Sequence, residues 1–205
     1  MGVDENNFLL EGLLPSIISL ITRWTSEINL EFTYSHRGYA HYTGCRGRIN
    51  QGQVHLTFDF SHSGYAHYTE LVGVVENGAI DLKLSYSHSG YAHYTGCRGR
   101  INQGQVHLTF DFSHSGYAHY TEIVGGIGNT IDLRFGYSHS GYAHYTKVHG
   151  TVHDERVHLN FNYSHSGYAH IVGVRGRLIK DKLVLKYSFS HSGYLYYDKV
   201  RGIIH

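Results

Sequence analysis

The phrase SHSGYAHY and its near variants recurs seven times in 205 residues, opening at Ser35, Ser61, Ser87, Ser113, Ser138, Ser164 and Ser190. Five of the six intervals are 26 residues and one is 25. A fixed period in this range means that one supersecondary unit, stacked on copies of itself, accounts for most of the molecule. Residues 35–70 and 87–122 differ only at Arg37 against Ser89, which points to recent duplication or to a designed repeat.

Within each repeat the hydrophobic period is two. Val54, Leu56, Phe58 and Phe60 alternate with His55, Thr57, Asp59 and Ser61, and Ile80, Leu82, Leu84 and Tyr86 alternate with Asp81, Lys83, Ser85 and Ser87. Such alternation predicts strands with one apolar and one polar face. Tight-turn dipeptides break the runs: Ser63-Gly64 inside the phrase, and Gln51-Gly52 or Asn77-Gly78 between phrases. Glycine at the second turn position accepts the positive φ that two-residue hairpins require. Each repeat is therefore a hairpin, and seven hairpins give fourteen antiparallel strands over residues 28–205.

The turns fix the register. A turn at Ser63-Gly64 pairs Phe60 with His67 and Leu56 with Leu71; a turn at Asn77-Gly78 pairs Val75 with Ile80, Leu71 with Leu84 and His67 with His88. Both put the same apolar set on one face. Combined with the 26-residue period, the two registers climb about one residue per strand. At ~3.3 Å rise and ~4.8 Å spacing, that stagger is a tilt of roughly 35° and a closed radius of roughly 13 Å. The shorter repeat keeps the climb if Gly128-Asn129-Thr130 forms a three-residue loop. The predicted fold is all-β: an up-and-down meander closed as a barrel between a first strand near residues 28–36 and a last at 194–205. An open sheet would leave two long bare edges. Gly47, Gly73, Gly99, Gly125, Gly150, Gly176 and Gly202 all fall on the apolar face, where bending of the sheet is the favoured reason for them.

Residues 1–27 form a separate segment. Phe8, Leu9, Leu10, Leu13, Leu14, Ile17, Ile18, Leu20, Ile21 and Trp24 make a broad helical apolar stripe, with Glu11, Ser16, Ser19, Arg23 and Ser26 on the polar side. This amphipathic helix is expected to plug or cap the barrel; lying on a membrane surface is a less favoured alternative.

A net charge of +1 with dispersed basic and acidic residues gives no reason to expect nucleic acid. No secretory leader, transmembrane helix, phosphate loop, HExxH or CxxC is recognised, and Cys45 and Cys97 are copies of one repeat position rather than a disulfide plan. No cofactor is expected.

The 19 histidines and 19 tyrosines are where chemistry could reside. The register places histidines in cross-strand pairs, His41 with His62 and His67 with His88 among them, encircling one end of the inner face beside Tyr39 and Tyr65. Tyr196 meets His36 at the seam, and Asp198 replaces the repeat's threonine. The candidate ligand-binding residues are His36, His41, His62, His67, His88, Tyr65, Tyr196 and Asp198. No metal site is predicted, and His62, His67 and His88 are its weak candidates, because third ligands and carboxylates are scarce on this face. Alternation points Ser61 away from His62, which argues against a serine nucleophile.

The functional expectation is a non-catalytic binding or scaffold protein with an apolar interior, taking a hydrophobic small molecule or a glycan, and monomeric. One alternative is a membrane-inserted pore with its apolar face outward. Another is a self-assembling β-sheet subunit.

Overall fold

The computed structural model describes residues 25–36, 38–193 and 197–204. The predicted helix before the barrel, and Tyr196, lie outside the described residues. Fourteen strands follow one another: β1 Thr25–Tyr34, β2 Tyr42–Asn50, β3 Gln53–Phe60, β4 Tyr68–Glu76, β5 Ala79–Tyr86, β6 Tyr94–Asn102 and β7 Gln105–Phe112 make the first half. The second half is β8 Tyr120–Gly126, β9 Thr130–Tyr137, β10 Tyr145–His153, β11 Arg156–Tyr163, β12 Ile171–Ile179, β13 Lys182–Phe189 and β14 Tyr197–Ile204. Each pairs antiparallel with its sequence neighbour, and β14 returns to β1 to close the barrel.

The register is the one the turns dictate. Leu56 faces Leu71, Leu71 faces Leu84, and Val75 faces Ile80. Ile28 pairs with Gly47 and Gly47 with Leu56, so two strands advance 28 residues against a 26-residue repeat. The wall therefore climbs one residue per strand, and it closes with Ile28 opposite Ile204. In the short repeat Gly126 pairs with Asp132, which keeps the climb.

Turn chemistry explains the lower end. Gln51 and Gly52 have φ of 47° and 79°, Asn77 and Gly78 have 49° and 79°, as primed turns demand. Each turn is also tied to the next: the Val75 amide donates to the Gly52 carbonyl and the Ile101 amide to the Gly78 carbonyl, both at 2.6 Å. Glycine matters a second way in the wall. A Cβ on Gly73 would strike the Asp81 carbonyl oxygen and stand 2.8 Å from the Leu82 Cα, and the other six inner glycines abut the adjacent strand alike. The sheet coils so tightly there that only a residue without a side chain fits.

Leu56, Leu71, Leu82, Leu108, Leu133, Val148, Val174, Leu185 and Val200 are all buried, while the alternate positions carry the charges. A single closed sheet has only its inside to bury, so the apolar row lines the interior. On the outer wall Asp81 faces Arg98 across the ladder, and the Arg98 side chain bonds Asp111 diagonally on its other neighbouring strand at 2.7 Å, as Arg46 bonds Asp59. Both are exposed pairs of small energetic weight.

One regular departure changes the face of a residue in every repeat. Tyr68 pairs with Tyr86 and Glu70 with Ser85, leaving Thr69 as an extra residue on β4. The same bulge falls at Thr43, Thr95, Thr121, Thr146, Val172 and Asp198. Strict alternation puts Tyr68 outside; the bulge turns it inward, where it is 3% exposed.

Candidate functional site

All seven SHSGYAH loops connect an odd strand to the following even one, so an up-and-down barrel gathers them at one rim. The ladder stops at Phe60 and resumes at Tyr68, so residues 61–67 form a loop rather than a two-residue hairpin. Its tip is still a turn at Ser63-Gly64, with the Tyr65 amide donating to the His62 carbonyl at 3.4 Å.

The serine that opens each loop docks on the previous repeat. The Ser61 amide donates to the His41 carbonyl at 2.9 Å, and the His41 amide donates to Ser61 Oγ at 3.0 Å. Ser61 Oγ also lies 2.7 Å from His62 Nδ1, contrary to the alternation argument, because both residues have left the strand. The same serine–histidine contact recurs at Ser35, Ser87, Ser113, Ser138, Ser164 and Ser190. The second histidine of each phrase is held differently. His67 Nδ1 lies 2.6 Å from the Tyr65 carbonyl, which can only accept, so that nitrogen carries a proton.

The bulge also dissolves the expected histidine pairs. His67 faces the Ser87 backbone rather than His88, through an amide-to-carbonyl bond of 2.9 Å. Its ring stacks flat on Phe60, 4.4 Å between centroids and 6° from parallel. His41 stacks likewise on Tyr34. His62 and His88 meet the tip rings Tyr65 and Tyr91 edge-on at 5.8 and 5.9 Å, and His36 meets Tyr39 in the same way. The structure thus brings His36, His41, His62, His67, His88 and Tyr65 to one rim, as separate aromatic stacks. Among the described residues no three His, Cys, Asp or Glu side chains group as metal ligands. Asp198 sits at its bulge with Oδ1 buried and without a hydrogen-bond partner among the described residues.

Beneath the rim runs a ring that the sequence reading missed. The Tyr68 amide donates to the Tyr42 hydroxyl, Tyr94 to Tyr68, Tyr120 to Tyr94, and Tyr145 to Tyr120, at 2.6–2.8 Å. The Tyr42 amide reaches the Tyr197 hydroxyl across the seam, and the Ile171 amide reaches Tyr145. Ile171, which has no hydroxyl, interrupts the ring. A tyrosine repeating in strict register was the available signal.

Above this ring the tip tyrosines Tyr39, Tyr65, Tyr91, Tyr117, Tyr142 and Tyr168 are 49–60% exposed. Elsewhere, an outer groove of about 650 Å³ is lined by Glu27, Arg46, Arg48 and His55. Its polar groups are already partnered: Arg46 with Asp59, Arg48 with Glu27, and His55 Nε2 with Glu70 at 2.6 Å. The two cysteines are free and buried. Burial, and then the nearby carboxylates Asp59 and Asp111, push both thiols from 9.0 up to about 12, far from the range of a reactive thiolate. No helix among the described residues is long and apolar enough to cross a membrane, which says nothing of crossing by strands. No protein-family model, curated protein or solved structure matches the chain.

Proposed function

We propose that this protein is a non-catalytic binding barrel whose apolar interior takes a hydrophobic occupant, supplied in the resting molecule by its own residues 1–24. One observation carries the reading: a continuous apolar lining, with Leu56, Leu133, Val148 and Val200 at 0–1% exposure, inside a barrel of fourteen strands. Eight strands enclose just enough room for their own side chains; fourteen at this stagger enclose a radius of roughly 13 Å. A helix on the axis would stand roughly that far from the wall, near the ~10 Å separation of packed layers. Residues 1–24 end where β1 begins and carry the apolar stripe such a place requires.

The absence of catalysis is inferred from repetition. Seven near-identical copies of one serine–histidine contact do not single out one catalytic centre, which needs a unique set of groups. The outward-apolar pore would need the leucine row on the outside, where the wall instead carries Arg46, Asp59, Arg98 and Asp111.

Deleting residues 1–24 leaves every described strand intact and tests the reading. The truncated protein should gain a saturable site for a fluorescent fatty acid or an environment-sensitive dye. A truncated protein that remains folded and binds no more dye than the full chain would overturn it.

A further inference from the structure

The six rim loops with a described tip combine two properties that belong together. Several of their polar atoms are engaged within the loops: Ser61 Oγ on His41 and His62, His62 Nδ1 on Ser61, His67 Nδ1 on Tyr65. Their tyrosine rings are turned out, with Tyr65, Tyr91, Tyr117 and Tyr142 at 59–60% exposure. The loop sequences 35–41, 61–67, 87–93, 113–119, 138–144, 164–170 and 190–196 hold one formally charged residue, Arg37. The opposite end is different, with Glu76, Asp154, Glu155, Arg156, Lys180, Asp181 and Lys182 at or beside its turns.

We infer that this rim is a docking surface for a neutral lipid bilayer. Tyrosine suits the boundary where one end of a side chain is apolar and the other wet. Closure puts the loops at one end of the barrel, so the tips meet a flat, laterally fluid surface together. Six described tips acting at once convert weak single contacts into useful avidity. A sugar would ask for something else. Its hydroxyls need directional donors and acceptors, and the Ser61 hydroxyl and the Nδ1 atoms of His62 and His67 are already engaged. An anionic polymer or strongly charged membrane would ask for lysine and arginine, and the seven loop sequences hold Arg37 alone of these.

The test uses the full chain and sedimentation with phosphatidylcholine vesicles. The protein should co-sediment with them, and raising salt to about 0.5 M should leave the partition coefficient within about twofold. Replacing the four tips together, Tyr65→Ser, Tyr91→Ser, Tyr117→Ser and Tyr142→Ser, should weaken partition at least about tenfold, with an unchanged far-ultraviolet spectrum. The corresponding four phenylalanine replacements should keep it, since the ring and not the hydroxyl makes the contact. If the serine set does not fold, the phenylalanine set and the single variant Tyr117→Asp carry the test. Tyr117→Asp should weaken partition measurably. Protein that stays in the supernatant with neutral vesicles overturns the proposal. So does binding to immobilised glycans that the phenylalanine set loses, or rim-to-rim dimers that persist in place of vesicle binding. Vesicle binding reports the rim and dye binding reports the interior, so either reading can fail alone.

Discussion

The Tyr94 amide donates a 2.8 Å hydrogen bond to the buried hydroxyl of Tyr68, the same residue one repeat earlier. Each of these hydroxyls satisfies an amide that the bulge of the next repeat has taken out of the regular ladder. One feature thus supplies the acceptor that its neighbour needs, which is why the pair recurs around the barrel.

Tyr68→Phe should therefore cost more than a surface hydroxyl would. It leaves the Tyr94 amide without its acceptor in a buried place, at about 1–3 kcal/mol. Denaturant melts of Tyr68→Phe beside the rim variant Tyr65→Phe check this. The rim change should be neutral within about 0.5 kcal/mol, and equal losses at both sites would show that the buried bond does nothing.

Glycines in the wall and at the rim should respond oppositely to alanine. Gly73→Ala places a Cβ against the backbone of Asp81 and Leu82, whereas nothing lies within 4 Å of one at Gly64. Gly73→Ala should destabilise by about 1–3 kcal/mol or more, and Gly64→Ala should leave the unfolding midpoint nearly unchanged.

The buried thiols give a pH dependence of known sign. Folding raises the Cys45 and Cys97 pKa from 9.0 to about 12, so the folded chain holds these protons more tightly than the unfolded one. Their contribution is complete below pH 9.0 and is lost as the pH rises toward about 12. Stability measured across that window should fall, and the double variant Cys45→Ala, Cys97→Ala should fall less steeply. Both thiols should also resist a thiol reagent in the native protein and react on unfolding; rapid native labelling would show that they are not sealed in the wall.

Much of the fold is legible in residue order because the turns carry their own geometry. Gln51-Gly52 and Asn77-Gly78 fix local pairing, and pairing plus the repeat length fixes stagger, tilt and closure. The bulge is harder to read. Tyr68, Thr69, Glu70 and Leu71 satisfy a plain alternation, and an inserted residue leaves the 26-residue period untouched. The available clue was chemical: plain alternation puts threonine on an apolar face in five repeats and Asp198 in another. Without it, alternation puts Tyr68 outside and pairs His67 with His88; Ser61 meets His62 for a different reason, that the strand ends at Phe60. The rim was legible as a place and not as an arrangement. Stacks such as Phe60 with His67 follow from the turn alone, but the serine docking depends on the bulge.

Closure underlies the burial of the leucine row, the position of the rim and the reading of the interior. Glu31 of β1 faces Arg201 of β14, with an ion pair of 2.9 Å between their side chains. Directly paired strand residues stand about 4.5–5.5 Å apart at Cα, within reach of a disulfide. The variant Glu31→Cys, Arg201→Cys, oxidised at low concentration and weighed intact, tests closure most directly. A closed barrel should give a monomer lighter by two hydrogens, formed rapidly and without reagent-reactive thiols. Covalent dimers and higher chains, or introduced thiols at positions 31 and 201 that stay reagent-reactive in folded protein, would mean that β1 and β14 do not meet within one molecule.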